Sequence, residues 1–315
     1  MKHENYAPVS MGKRLAEVQI VLNPRAGRGH GLVLVEPLVS ALKRRGHRPS
    51  VLVTEDCGHA RRWAADCRRP PDYLISLAGD DTLNDLAEAV IRHRIPIISP
   101  PLGFGNVCAQ AFGHRAEVSA ILDLLEAGRC TDIDAGLRQS ADGVESFFLD
   151  VTIHGFVETI RSTGEEGIDR VSHTRRMAGY LLAAAKWMSS GQVSSTMAIE
   201  VDGETVSERA PLALVANVPA FPGKLAFIPD ADPCDGLFDV CVVLGDTKRA
   251  LLAALCGLLL AAPSREQLLL RRRGRVVRIR PTAGGGQHLG RDSGAETLTV
   301  LPRAVPVLMP ATEMR

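Results

Sequence analysis

Neither sign of charge is in excess in this 315-residue chain: 37 Lys and Arg stand against 36 Asp and Glu, a formal charge of +1. So balanced a surface gives no attraction for a polyanion, which argues against nucleic acid as a partner. The seven cysteines, Cys57, Cys67, Cys108, Cys130, Cys234, Cys241 and Cys256, form no CxxC pair and have no His run at zinc-ligand spacing, so a cysteine-built metal site is not expected. A reduced, cytoplasmic protein suits that pattern. An N-terminal apolar core is missing too: Lys2, Glu4 and Lys13 interrupt the segment where a leader would need one, and Met11 could serve as the start as well as Met1. The longest apolar run, Ala250 to Ala262, has 13 residues, short of the roughly 20 that cross a bilayer. It reads as a buried helix, with lipid contact as the alternative. Neither GxxxxGK[ST] nor GxGxxG occurs at the loop after the first strand, which counts against a P-loop NTPase or an NAD dehydrogenase.

What the chain does have is 45% apolar residues, enough for two packed domains. From Glu17 onward short apolar runs alternate with helical patterns: VQIVL before LVLVEPLVSALKRR, SVLVT before HARRWAADCRR, YLISLAG before LNDLAEAVIRH, then PIISP. This alternation predicts βαβ units and a parallel, Rossmann-like sheet buried on both faces. After about Asp134 longer β-prone runs take over, which predicts an antiparallel sandwich. Two helical patterns, Thr174 to Ser189 and Thr247 to Ala261, interrupt them. The expected division is a tail over 1–15, an α/β domain over 16–138 and a β-rich substrate domain over 139–302, with the segment 303–315 returning to the first. The nucleotide cleft would lie between the two domains.

In an open parallel sheet ligands sit where the carboxyl ends of the strands meet their loops. The first such loop is Asn23-Pro24-Arg25-Ala26-Gly27-Arg28-Gly29, where glycine lets a phosphate approach the backbone and Arg25 and Arg28 add positive charge. An ordinary glycine-rich turn is the competing reading of this segment alone. The second loop, Ala78-Gly79-Asp80-Asp81-Thr82-Leu83-Asn84-Asp85, offers Thr82 as a helix N-cap with Asp85 completing a box-like arrangement. Asp80 could hold Mg²⁺ directly or through water. The third is Pro101-Leu102-Gly103-Phe104-Gly105-Asn106, and three such turns on one sheet edge would converge on one crevice. Asp202-Gly203 between β-prone halves signals a type I′ hairpin. Arg271-Arg272-Arg273 reads as a solvated charge run, with docking to an anionic membrane surface as the alternative. His154 reads as a core histidine, Trp187 as packing and His173 as solvent-facing.

The ordered set NPxxG at Asn23, GDxTxN over Gly79 to Asn84, PxGxGN ending at Asn106 and PDADPCDGLFD over 229–239 resembles the diacylglycerol kinase catalytic family, which includes bacterial lipid kinases and the sphingosine and ceramide kinases. The similarity runs from about Val18 to Pro310. It implies transfer of the γ-phosphoryl group of ATP, with Mg²⁺, to a hydroxyl of diacylglycerol or another lipid or amphipathic alcohol. By position, Asn23, Pro24, Arg25, Ala26, Gly27, Thr54, Ala78, Gly79, Asp80, Asp81, Thr82, Leu83, Asn84, Gly103, Phe104, Gly105 and Asn106 would contact the nucleotide. Asp292, in the place of the family's late Asp-Gly-Glu triplet, would be the base. Asp235, with the carbonyls of Asp232 and Leu237, would hold a structural Mg²⁺, while read alone the same segment is a turn. Four positions depart from the pattern the resemblance implies: Asp81 for glycine, Phe104 for threonine, Gly294 for glutamate and Asp150 for asparagine. Asp81, Phe104 and Gly294 set a second expectation beside the first, a weakened member that binds lipid or nucleotide without efficient transfer. A soluble kinase of NAD or polyphosphate type is the third. Peripheral contact with the inner membrane surface and a homodimer are both compatible with the reading.

Overall fold

The computed structural model describes residues 15–103, 105–155, 196–219, 228, 230–244, 269–282 and 294–310. Phe104, Asp292, His173, Trp187, the run 250–262 and the helical patterns over 174–189 and 247–261 lie outside them. Four strands open the chain: β1 (Glu17–Leu22), β2 (Arg48–Val53), β3 (Tyr73–Leu77) and β4 (Ile97–Ile98). They pair in parallel in the order β2-β1-β3-β4. Five helices accompany them: α1 (His30–Arg44), α2 (His59–Asp66), α3 (Asp80–His93), α4 (Val107–Ala111) and α5 (Val118–Ala127). Every residue of β3 is buried, as a strand covered on both faces requires. Its Tyr73, Ile75 and Leu77 pack with Leu38 and Leu42 of α1 and with Leu122 and Leu125 of α5. Leu74, pointing the other way, packs with Ala60 and Ala64 of α2 and with Leu83, Leu86 and Val90 of α3. The alternation visible in the sequence thus becomes a two-sided α/β layer.

The β-rich half contains β5 (Cys130–Ser140), β6 (Glu145–Phe148), β7 (Val151–Gly155), β8 (Met197–Val201), β9 (Glu204–Ala210), β10 (Leu212–Ala216), β11 (Phe238–Val243), β12 (Leu269–Gly274), β13 (Val276–Pro281) and β14 (Glu296–Leu308). Strands β12-β11-β10-β7 form one antiparallel sheet. Opposite it stand β14, β13, β8 and β9, with β5 and β6 attached through β14. Val215, Phe238, Val240 and Val242 of the first sheet meet Ile199, Val277, Leu298 and Val300 of the second in one apolar core. That is the sandwich the β-prone runs predict. In the β8–β9 hairpin Asp202 and Gly203 both have positive φ, 49° and 88°, the backbone that a type I′ turn demands.

Strand β14 belongs to both halves. Its first part pairs with β13 and with the far end of β5; after an irregularity between Leu301 and Val305, its last residues continue along β5 while Val307 pairs in parallel with Ile97 of β4. One ten-stranded sheet therefore runs from β2 to β9. His114 fastens this junction from the α/β side: its Nδ1 accepts the Ser99 N–H at 3.0 Å and its Nε2 donates to the Leu308 carbonyl at 2.7 Å. Burial lowers its pKa, and the shorter of its two carbonyl contacts, to Leu308 rather than the 3.2 Å approach of Nδ1 to the Ser99 carbonyl, places the proton of the neutral ring on Nε2.

One local expectation is corrected. Helix α3 starts at Asp80 with Gly79 in the capping position, and Thr82 lies buried inside the first turn without capping it. Asp85 forms no box with it; it pairs with Arg61 of α2 at 2.7 Å. The start is set two residues earlier because β3 is followed by only Ala78 and Gly79 before the helix, and the extended backbone of Gly79 already makes the turn.

Candidate active site

The three glycine-bearing loops lie against one another at the carboxyl ends of β1, β3 and β4. In the first, Asn23 makes a compact turn: its side-chain Oδ1 accepts the Arg25 N–H at 3.0 Å and its carbonyl accepts the Ala26 N–H at 3.1 Å. The Asn23 N–H donates to the Leu77 carbonyl at 3.2 Å, which ties this loop to the end of β3. Gly27 has φ +54°, and a Cβ there would stand 2.4 Å from the Leu102 carbonyl oxygen of the third loop. No larger residue fits that approach without backbone movement. Between the second and third loops the packing is as close: a Cβ on Gly103 would stand 2.5 Å from the Gly79 Cα. Asn106, at φ 53°, folds the third loop back on itself by accepting the Gly103 N–H at 2.5 Å, and its neighbour Gly105 accepts the Gln110 side chain.

Asp80 joins the second loop to the helix that follows the third. Its two carboxylate oxygens accept the Val107 and Cys108 N–H groups, each at 3.1 Å, at the N-terminus of α4. Burial raises its pKa; the two N–H bonds oppose that rise and the neighbouring Asp81 adds to it. Asp81 itself is exposed at the rim, in the first turn of α3. Thr54 is buried and donates its N–H to the Leu22 carbonyl at 2.8 Å, so it braces the end of β1. Ala78 and Leu83 are fully buried, and Leu83 belongs to the core under α3. These two shape the rim from beneath. Pro24, Arg25 and Ala26 line it from the first loop, with Arg25 exposed.

Asn84 reaches from α3 into the β-rich half. Its Oδ1 accepts the Leu149 N–H at 2.9 Å and its Nδ2 donates to Asp150 Oδ1 at 3.0 Å. The same dipeptide is held from the other side by Asn217, just past β10: the Asn217 N–H donates to the Asp150 carbonyl at 2.9 Å and its Nδ2 to the carbonyls of Leu149 and Asp134. The Asp150 carboxyl is pushed up to about 7, first by burial and then by the charge of Asp80, against the pull of the Asn84 bond. Burial together with Asp80 and Asp150 also pushes the Cys108 thiol well up, which leaves it protonated and inert.

Asp232, Asp235 and Leu237 sit on the turn before β11, where the fit of a cation can be tested on the donors themselves. Asp235 Oδ1 accepts the Leu237 N–H at 2.9 Å and its Oδ2 is paired with Arg273. Asp232 Oδ1 accepts the Cys234 N–H at 2.9 Å, and the Asp232 carbonyl faces the Asp235 N–H at 3.5 Å. Among the described residues no group of three His, Cys, Asp or Glu side chains is arranged to hold a metal ion. Both side-chain oxygens of Asp235 and one of Asp232 are thus engaged by N–H groups and a guanidinium. The residue that organises the turn is one that pattern reading passed over: Asp134, fully buried, accepts the Gly236 N–H at 2.6 Å and the Arg303 N–H at 2.8 Å. Its only signal was a carboxylate inside a β-prone run. His154 is a core residue, buried and bonded to Thr152.

An α/β layer whose strand ends carry three touching glycine loops continues through one sheet into a β-sandwich. Both parts match known protein families. Residues 17–137 match the diacylglycerol kinase catalytic domain, and residues 160–311 match the YegS C-terminal NAD kinase beta sandwich-like domain. The chain thus carries a diacylglycerol kinase catalytic domain match followed by a YegS C-terminal domain match. A diacylglycerol kinase of Mycobacterium tuberculosis is 26% identical over 244 residues, 76% of either chain, and a YegS-like lipid kinase of Pseudomonas aeruginosa is 28% identical over 291 residues, 90% of this chain and 92% of its own. A solved diacylglycerol kinase of Bacillus anthracis superposes with a TM-score of 0.65 at 18% identity, covering 94% of this chain and 97% of its own, a likeness of fold. No helix among the described residues is long and apolar enough to cross a membrane.

Proposed function

We propose that this protein transfers the γ-phosphoryl group of ATP to a hydroxyl of diacylglycerol or a related amphipathic alcohol. The observation that carries the reading is the contact of three glycine turns, Gly27 against Leu102 and Gly79 against Gly103, at the carboxyl ends of parallel strands. A polyphosphate binds where backbone can approach it closely and where helix N-termini point, and α3 begins at this rim. Transfer of this kind depends on positioning and charge stabilisation more than on covalent chemistry. The rim holds the nucleotide, Arg25 screens the phosphates, and the acceptor hydroxyl comes from the sandwich side. The acceptor oxygen forms the new bond to phosphorus as the bond to the β,γ-bridging oxygen breaks; ADP leaves with that electron pair, and Asp292 takes the hydroxyl proton. Asp80, with each oxygen accepting one N–H, keeps lone pairs and would be the residue to hold a Mg²⁺ brought with the nucleotide, which would supply charge neutralisation on the phosphates.

The test is product formation by the purified chain from ATP with dioleoylglycerol and with a sphingoid base in mixed micelles, beside Asp292→Asn. Phosphorylated lipid that disappears in the variant supports the reading. Absence of product from both acceptors, or full activity in Asp292→Asn, refutes it.

A second reading, binding without efficient transfer, is favoured by the exposed Asp81 and by Asp150 close enough to Asp80 to feel its charge. Two like charges at about 4 Å repel by roughly 1 kcal/mol in water and roughly 4 at an effective dielectric of 20. Under this reading Asp81→Gly tightens ATP binding while the wild type shows binding and no turnover.

A further inference from the structure

We infer that the turn over residues 232–237 carries its own cation, the Arg273 guanidinium, and that this segment is ordered without a divalent ion. Arg273 comes from β12, which pairs with β11 in the register Asp239↔Arg273. In an antiparallel ladder, directly opposed residues put their side chains on the same face, so the strand pairing itself aims the guanidinium at the end of β11. There it pairs with Asp235 through one terminal nitrogen, and its Nε stands 3.4 Å from Asp239 Oδ1. The two carboxylates are mostly shielded, with side-chain exposures of 24% and 13%, while the arginine is 47% exposed.

Carboxylates crowd the turn even with the guanidinium in place. Asp239 is raised by burial first, then by the charges of Asp230 and Asp232, with Arg271 pulling it down. Asp134, behind the turn, is raised by burial and also feels Asp232. Four carboxylates, Asp134, Asp232, Asp235 and Asp239, thus crowd one bend, the situation that elsewhere recruits a divalent ion. Here a planar, permanently charged fork bridges two of them. Backbone N–H groups engage further oxygens: Leu237 on Asp235, Cys234 on Asp232, Gly236 and Arg303 on Asp134.

The inference concerns the turn alone and is tested without nucleotide, lipid or turnover, so its failure and the failure of the kinase reading are separate results. Melting temperature is measured on the full chain in EDTA and over a titration of Mg²⁺ and of Ca²⁺, for the wild type, Arg273→Met, Arg273→Lys and Asp235→Asn. The wild type is expected to melt at one temperature throughout. Arg273→Met should melt about 2–4 °C lower in EDTA, the size of shift that loss of one modest interaction gives in a domain of this size. It should recover at least half of that on adding Mg²⁺ or Ca²⁺, because the freed carboxylates then need a cation. Arg273→Lys keeps the charge without the fork and should fall between. The inference is overturned if the wild type gains stability saturably with a divalent ion and Asp235→Asn abolishes the gain. It is equally overturned if Arg273→Met melts with the wild type, or melts lower and no cation restores it.

Discussion

The carboxylate of Asp134 accepts the backbone N–H of Arg303 at 2.8 Å, at the residue where β14 turns through a φ of 52°. The irregularity that lets this strand leave the sandwich and join the α/β sheet is thereby fixed by a side chain on β5. The same carboxylate holds Gly236 at the turn before β11, so one buried group sets two loops that otherwise lack regular partners.

Asp134→Ala leaves two N–H groups, the buried one of Gly236 and the half-buried one of Arg303, without acceptors. Each unsatisfied group costs about 1–3 kcal/mol, so a loss of roughly 2–5 kcal/mol is expected, read as a lower urea midpoint at unchanged slope. Asp134→Asn keeps one acceptor and should lose about half as much. A loss below about 1 kcal/mol for the alanine variant would show that β14 is kinked by its own backbone.

The contact of Gly79 with Gly103 makes a second prediction. A methyl group at 103 has a backbone atom in its way at 2.5 Å, so Gly103→Ala must separate the second loop from the third. ATP affinity should fall at least about tenfold, equivalent to about 1.4 kcal/mol, while stability falls by about 1–3 kcal/mol, as overpacking does. Gly203→Ala is the control. It sits at φ +88° with nothing within 4 Å, so its strain should lower stability and leave nucleotide affinity alone. Equal affinities for wild type and Gly103→Ala, by calorimetry, would detach the glycine rim from nucleotide binding.

How much of this was legible in the sequence follows the range of the interactions. Hydrophobic period and glycine placement are local, and they gave the parallel layer, the sandwich, the Asp202-Gly203 hairpin and the three loops as neighbours on one edge. Thr82 was misread because capping patterns assume that the helix chooses its own start, whereas the bend at Gly79, two residues after β3, fixes it first. Asp134, Asn217 and the bridge from Asn84 to Leu149 and Asp150 were out of reach. Their partners lie 65 or more residues away in the chain, and only the fold decides which carbonyl or N–H each one meets. The 232–237 turn shows the same limit: its residues read as a turn and only the resemblance implies a metal, while the guanidinium that engages it comes from position 273.

Two buried histidines predict the acid limb of stability. His154 is held down to about 3, by burial first and the charge of Arg138 second, and burial lowers His114 as well. An unfolded histidine titrates near 6.5. Below that pH the unfolded chain takes up protons that the folded chain refuses, so the stabilisation is complete above about 6.5 and lost as pH falls toward the folded values. Each histidine contributes a slope of up to about 1.4 kcal/mol per pH unit. Unfolding free energies of wild type and His154→Phe at pH 7.5, 6 and 5 should converge as pH falls. A difference that stays constant over this range would mean that His154 is protonated in the fold.

Asp150 predicts the opposite limb. Its carboxyl is raised to about 7 in the fold, against about 3.9 in an unfolded chain, so the folded protein binds this proton more tightly. Its stabilising contribution is therefore full below about pH 4 and is lost as pH rises to about 7. Asp150→Asn keeps an acceptor for the Asn84 amide and removes the charge. It should match the wild type near pH 4 and exceed it increasingly up to pH 7, with no further gain above. The full shift would correspond to about 4 kcal/mol; because Asp150 is partly open to solvent, a gain of about 1–2 kcal/mol at pH 8 is expected. Asn84→Ala should instead lower stability at every pH, since it strands the Leu149 N–H. If Asp150→Asn is less stable than the wild type at pH 8, the carboxylate is ionised and stabilised in the fold, and the charge crowding around Asp80 is smaller than the geometry implies.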